Sequence, residues 1–206
     1  MEINASDVVL LGDCPSDYPL QKKRHTMEYL RTIPHLRVRT NTFNAMLRVR
    51  SKLSAAIHRY FQEHDYVYVH TPIITGSDCE GAGEIFRVTT HDWNDTAKTA
   101  AEYYEQDFFG QKAGLTVSGQ LEGEVAAMAM GKIYTFGPTF RAENSNTTRH
   151  AAEFWQVEPE VAFAELPDII EIAEELIKYI IQAVLTNVRT KYNFLMTDSR
   201  RDLRIS

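Results

Sequence analysis

The sequence predicts an α+β domain in which a strand pair is set among long helices. Three observations carry that prediction. Residues 133–140 and 153–163 are alternating, apolar-rich runs separated by the turn residues Asn144-Ser145-Asn146-Thr147-Thr148; two such runs around such a segment pair as antiparallel strands. Residues 42–63 place Phe43, Leu47, Leu53, Ile57, Tyr60 and Phe61 at helical spacing, the mark of an amphipathic helix. Residues 166–188 do the same with Ile169, Ile172, Leu176, Ile180 and Val184, which is a stripe that lies across a sheet.

Taken in order, the chain begins with a short strand-like run, Val8-Val9-Leu10-Leu11, and then Gly12-Asp13-Cys14-Pro15-Ser16-Asp17-Tyr18-Pro19. Its Gly, Pro and Asp content predicts a linker, and residues 1–40 are expected to be linker and basic connection. Thr40 or Asn41 can cap the helix at 42–63, and His64-Asp65 ends it. Residues 66–70, Tyr-Val-Tyr-Val-His, are a strand, closed by Pro72 because proline has no N–H for a ladder. The glycines of 73–86 predict a mobile loop, and 87–114 carries little pattern. A short strand at 115–117 leads to Gln120 and an Ala- and Met-rich helix over 122–130. Pro159 predicts an edge or a bulge in the second hairpin strand. Pro167 suits the first turn of the last helix, with Asp168, Glu171, Glu174 and Glu175 early and Lys178 late, as the helix dipole favours. The tail, 186–206, reads as frayed.

Composition excludes several classes. The chain has 206 residues, room for one domain with an extension, and a net charge of −6. It lacks a run of eighteen apolar residues, so no membrane helix is expected, and its start lacks the pattern of a signal peptide. Cys14 and Cys79 stand in unrelated contexts, which fits a reducing compartment and a cytoplasmic location. Charge is unevenly spread: Lys22, Lys23, Arg24, Arg31, Arg37, Arg39, Arg48, Arg50 and Lys52 face one acid, Glu28, between residues 21 and 52. Such a segment is either an electrostatic footprint for nucleic acid or a solvated face.

The hairpin loop carries the chemistry. Arg141, Arg149 and His150 stand at its two ends, an arrangement that suits a polyphosphate. Phe154 can offer a ring face to a base, and Glu143 an acceptor to an exocyclic amine. The same residues also fit the charged, solvated tip of an ordinary hairpin.

Phe140-Arg141-Ala142-Glu143, a loop, then Arg149-His150-Ala151-Ala152-Glu153-Phe154 closely resembles motif 2 (about 136–163) of the class II aminoacyl-tRNA synthetases, in the subgroup charging aspartate, asparagine and lysine. The helix, strand and proline of about 42–72 resemble motif 1. Glu143 through His150 resembles asparaginyl and some aspartyl members more than lysyl ones. The resemblance implies an antiparallel-sheet catalytic domain flanked by helices, with ATP and Mg2+, an aminoacyl-adenylate intermediate, and a homodimer formed through 42–72. It implies that Arg141 holds the α-phosphate, Glu143 meets the adenine amine or the tRNA end, Arg149 or His150 meets the γ-phosphate, and Phe154 stacks on adenine. Glu80, with Ser77 nearby, would meet the α-ammonium of the amino acid, and Gln120 and Glu158 would complete that pocket. Glu158 has a second reading as a structural strand acid.

Aspartyl members carry a proline and a lysine where this chain has Gly119 and Gly123. Loss of that cation disfavours an aspartate side chain, so the resemblance implies asparagine and tRNA(Asn) as substrates. Motif 3 and the acids that hold Mg2+ are not found, so the chain is expected to be the first part of a catalytic domain over 41–206, its metal ligands elsewhere and its own turnover small. An aspartyl enzyme, a synthetase-related asparagine synthetase, and a truncated dimerising paralogue are the competing readings.

Overall fold

The computed structural model describes residues 4–79, 81, 85–92, 99–145, 147 and 149–188. The tail beyond 188 and Glu80 lie outside them. The described chain forms two compact units, one of residues up to 52 with 184–188 and one of residues 53–183. The division falls inside the first long helix, whereas the sequence pattern places the change at 40/41.

In the first unit, Thr26 caps α1 (Met27–Thr32) by accepting a hydrogen bond from the Tyr29 N–H at 3.2 Å. Pro34 opens α2 (Pro34–Arg37) at the position where a missing N–H costs nothing. These two short helices lie within the expected linker, where basic residues mask their pattern. The expected strand at 8–11 is absent; Val8, Val9, Leu10 and Leu11 are all exposed, and a strand without a partner has no ladder to hold it. α3 (Asn41–Glu63) begins here. Of its two expected caps Thr40 serves, its Oγ1 lying 3.4 Å from the Phe43 N–H.

In the second unit α3 ends as expected at His64-Asp65. Asp65 adopts φ 62°, and the Tyr66 N–H reaches back to the Phe61 carbonyl at 2.9 Å. That is a left-handed C-terminal turn, a conformation Asp tolerates better than most residues. It turns the chain into β1 (Val67–Tyr68), shorter than the sequence predicts. β2 (Ile74–Thr75), β3 (Arg87–Val88) and β4 (Ala113–Leu115) follow, with α4 (Ala100–Glu105) between the last two. β4 sits two residues earlier than expected. α5 (Gln120–Met130) leads to β5 (Lys132–Phe140), and β6 (Glu153–Val161) to α6 (Leu166–Val188).

The strands make two small sheets. One has the order β1-β5-β6, with β5 and β6 antiparallel from Lys132↔Val161 to Phe140↔Glu153 and β1 parallel to β5. The hairpin is therefore as predicted, Pro159 lies on the edge strand, and the parallel partner is an addition. The other sheet has the antiparallel order β2-β4-β3. Gly114 makes it possible: a Cβ there would stand 2.4 Å from Ile85 Cγ2 and 2.9 Å from the Phe86 carbonyl oxygen.

Alternation gives the hairpin two faces. Tyr134, Phe136, Val157 and Val161 turn into the core, which also holds Ile57, Tyr60, Phe61 and Tyr66, with Leu176, Tyr179 and Ile180 of α6 against it. Phe61 stacks on Tyr134 at 4.3 Å between ring centres; such a pair contributes about 1 kcal/mol beyond its buried area. Burial raises the Tyr134 phenol above its ordinary pKa, and its hydroxyl lies 2.8 Å from His58 Nδ1. Burial and then the charge of Glu175 push the Tyr60 phenol up to about 12. Part of the α6 stripe, Ile169, Ile177 and their neighbours Ile170 and Ile181, stays exposed.

Candidate active site

The second face of the hairpin carries the site. Glu158, Gln156 and Phe154 follow one another at every second position of β6, opposite Thr135, Gly137 and Thr139 of β5. Arg141 continues the same row, because its N–H donates to the Ala152 carbonyl at 3.1 Å and extends the ladder past the end of β5. The four residue steps from Phe154 to Glu158 span about 13 Å.

At the loop end this face opens. Arg141, Glu143, Ser145, Arg149, His150 and Phe154 line one cavity of about 470 Å3, with Ala151 and Ala152. All five residues expected to meet a nucleotide are thus gathered in one place. The Arg141 guanidinium lies 5.5 Å from the centre of the half-buried Phe154 ring, a cation–π contact that aims both groups. Thr147, which sequence reasoning passed over, organises the far side of the loop. Its hydroxyl accepts from the Arg149 N–H at 3.3 Å and bonds His150 Nδ1. A Thr two or three residues ahead of the N–H groups it binds is a recognisable turn signal. Two guanidinium groups and an imidazole against one carboxylate make the cavity cationic, and the aromatic ring supplies one flat wall. Such a site can hold a polyphosphate and stack a base.

At the other end the face is braced. Glu158 Oε1 accepts from the Gly119 N–H at 3.1 Å and the Thr135 hydroxyl at 3.0 Å, and Oε2 accepts from the Ser118 hydroxyl. Ser118 Oγ in turn accepts from the Gln120 N–H at 3.0 Å. The strand-acid reading of Glu158 is therefore realised: it clamps the start of α5 to the hairpin. With three acceptor positions engaged, a carboxylate retains one more. Glu158 lines a cavity of only about 20 Å3 with Thr71, Thr116 and Thr135, room for a single water. Gly119 is tightly enclosed: a Cβ would lie 2.7 Å from Thr71 Oγ1 and 3.1 Å from Thr135 Oγ1, so a side chain there would force Thr71 to shift. Gly123 is different: a Cβ would meet Ile133 Cδ1 at 3.4 Å and Glu160 Cγ at 3.5 Å, in ordinary contact. Burial, and then the charges of Glu124 and Glu158, raise the carboxyl of Glu160 above its usual pKa.

The remaining expected residues are not drawn together. Ser77 is exposed after β2, its N–H donating to Thr75 Oγ1 at 3.1 Å. Gln120 is exposed, and its amide donates to Glu124 Oε1 at 2.8 Å instead of facing a cavity. Gln156 was missed from the sequence; its Oε1 is buried with no hydrogen-bond partner among the described residues. Only the strand alternation, which places it between Phe154 and Glu158, could have pointed to it.

The described residues thus place a cationic, aromatic-walled cleft at the mouth of an antiparallel hairpin. The chain belongs to the class II aminoacyl-tRNA synthetases: residues 26–203 match the family described as tRNA synthetases class II (D, K and N). Within that family it is 60% identical over 195 residues to the asparagine–tRNA ligase of Clostridium novyi (strain NT), covering 94% of this chain and 42% of that protein. It is 57% identical over 204 residues to the asparagine–tRNA ligase of Clostridium tetani (strain Massachusetts / E88), covering 98% and 44%. The chain therefore spans about two-fifths of the length of these curated relatives. The structure of asparaginyl-tRNA synthetase from Pyrococcus horikoshii complexed with asparaginyl-adenylate is similar with a TM-score of 0.66 at 30% identity, over 79% of this chain and 33% of that one. Asparaginyl-tRNA synthetase of Entamoeba histolytica is similar in fold, with a TM-score of 0.69 at 23% identity over 88% and 37% of the two chains.

Proposed function

We propose that this chain forms the α-phosphate and adenine side of the adenylate-forming site of an asparagine–tRNA ligase, which activates asparagine with ATP and transfers it to tRNA(Asn). The observation that carries the proposal is the convergence of Arg141, Glu143, Arg149, His150 and Phe154 on one cavity. In this reading ATP enters with its base against Phe154 and its exocyclic amine toward Glu143. Arg149 or His150 meets the γ-phosphate, and Arg141 faces the α-phosphate. The asparagine carboxylate attacks the α-phosphorus in line, an O–P bond forms, and pyrophosphate leaves with the electron pair of the bond that breaks. No side-chain nucleophile is needed. Catalysis is positioning plus stabilisation of charge growing on the α-phosphate oxygens, which is the work of Arg141.

The hairpin face has the length for this. In this reading an amino-acid end at Glu158 would lie about 13 Å from an adenine end at Phe154, with Gln156 between them, where carboxylate and phosphate would meet. The open acceptor position of Glu158 suits the asparagine amide. The α-ammonium would be met by Glu80 and Ser77 in a closed loop, and Gln120 would turn inward from Glu124. Gly123, in place of a cation, supports asparagine over aspartate. A homodimer through 42–72 belongs to the same reading. Mg2+ would lighten the charge on the phosphates. Its ligands are expected outside this chain, and no step here depends on them.

The test is Arg141→Ala in the whole protein. Asparagine-dependent ATP–pyrophosphate exchange should fall at least about a hundredfold, the scale of losing one charge-stabilising donor. Exchange near the wild-type rate would remove Arg141 from this role, and exchange driven by aspartate would reassign the substrate.

A further inference from the structure

The second unit has a cavity of about 480 Å3 where the end of α3, the start of β5, the end of β6 and the first turns of α6 come together. That volume suits a small molecule. It shares no lining residue with the nucleotide cavity or with the small pocket at Glu158. Its floor is aromatic: Tyr60 is 2% exposed and Tyr66 6%. The Tyr60 hydroxyl lies 3.3 Å from Glu175 Oε2 and 3.4 Å from the Ile172 carbonyl oxygen. The Tyr66 hydroxyl has no hydrogen-bond partner among the described residues. Burial and then the charge of Glu175 raise the Tyr66 phenol above its ordinary pKa, so this hydroxyl lies in the field of the carboxylate that Tyr60 already meets. A phenol on so buried a residue costs free energy until its oxygen is hydrogen-bonded.

The rim is acidic. Asp65, Asp168, Glu171 and Glu175 stand exposed around it, against Lys132, whose Nζ lies 5.6 Å from the centre of the Tyr66 ring. Asp168 has work of its own, since its Oδ2 accepts from the Glu165 N–H at 2.8 Å at the start of α6. Asp65 and Glu171 make no side-chain hydrogen bond or ion pair among the described residues. Asp168, Glu171 and Glu175 share one face of α6 and follow one another by about 4.5 Å and about 6 Å along its axis. Carboxylates strung out over about 10 Å match an extended chain carrying several ammonium groups better than one compact ion. Phe163, fully exposed with φ 64°, also lines the cavity. Its ring can cover an alkyl chain and attract an ammonium group.

We propose that this cavity binds a linear polyamine, with its ammonium groups on Asp65, Glu171 and Glu175, one of them also donating to the Tyr66 phenol oxygen, and its alkyl chain under Phe163. The test is equilibrium dialysis of labelled spermidine against the whole protein, freed of RNA, at constant ionic strength. One saturable site is expected. Glu171→Gln should weaken it about tenfold, the scale of one charge-assisted hydrogen bond. That side chain is exposed and makes no bond to the fold among the described residues, so the variant should fold as the parent does. Asp65→Asn keeps a residue that accepts the left-handed turn and should weaken binding by a similar factor. Tyr66→Phe removes only the hydroxyl and should cost about threefold. Glu105→Gln, at an exposed acid of α4 outside the cavity, should leave the affinity unchanged. Binding that does not saturate, an unchanged affinity in Glu171→Gln, an equal loss in Glu105→Gln, or complete displacement of spermidine by Mg2+ at the same ionic strength would each overturn the site.

Discussion

At Arg141 and Phe154 one face of the hairpin opens into a cavity of about 470 Å3, while at Glu158, four residues along the same strand, it closes to about 20 Å3. At the open end the cations are positioned by backbone ladder and loop hydrogen bonds, so their charged heads line the cavity. At the closed end the charged group is itself the brace, taking hydrogen bonds from Ser118, Gly119 and Thr135. The contrast has a physical origin. In the proposed reading, a polyphosphate at the open end would bring its own charge and need only fixed donors, whereas selecting one small side chain at the closed end would need a pocket whose walls do not move. Hydrogen bonds to a partly buried carboxylate supply that rigidity.

Each end can be broken separately. Arg141→Ala is the largest expected effect and acts on chemistry with little change in stability, because the ladder bond at 141 is made by the backbone. Glu158→Ala should do the reverse in stability: it strips three donors of their acceptor and should cost about 2–3 kcal/mol, read as a lower urea midpoint, and it should also abolish selection of asparagine. An unchanged midpoint would mean that the clamp is not what holds α5 to the hairpin. Phe154→Ala should raise the ATP KM about tenfold, on the scale of one lost stacking partner of 1–3 kcal/mol, with a smaller change in kcat. A fall in kcat alone would recast Phe154 as a support for Arg141 and not a base platform.

The smallest effect sharpens the closed end. Glu160 is partly buried, close to Glu124 and Glu158, and its raised pKa means that its charged form is disfavoured in the folded state. A carboxyl raised in this way costs no stability while protonated, below its unfolded pKa, and weakens the fold as pH rises through its folded pKa. Glu160→Gln should therefore raise the unfolding midpoint at pH 7 and leave it unchanged near pH 4. Equal gains at both pH values would show that packing, not charge, separates the two side chains.

Much of this is legible in the amino-acid sequence. Local hydrophobic period sets the hairpin, α3 and α6, and the turn residues between the strands set where the loop falls. The five residues at the loop ends can be found because a hairpin brings its own ends together: sequence neighbours of the turn are spatial neighbours. The proposed amino-acid side is legible only through resemblance. Glu158, Ser118 and Thr135 are tens of residues apart, and no pattern in the chain announces that they meet.

The chain by itself determined the faces of its helices and of its long strands, since a period of two or of 3.6 fixes which side chains turn inward. It also determined the chemistry at the hairpin mouth, down to the residue types. Only the tertiary structure decided the parallel seating of β1 on β5, the second sheet made of strands of two or three residues around Gly114, and the commitment of Glu158 to a clamp. Strands that short carry almost no local signal, and a carboxylate is the same letter whether solvated or engaged. Such features are decided by long-range pairing, whose free energy exists only once the chain has folded.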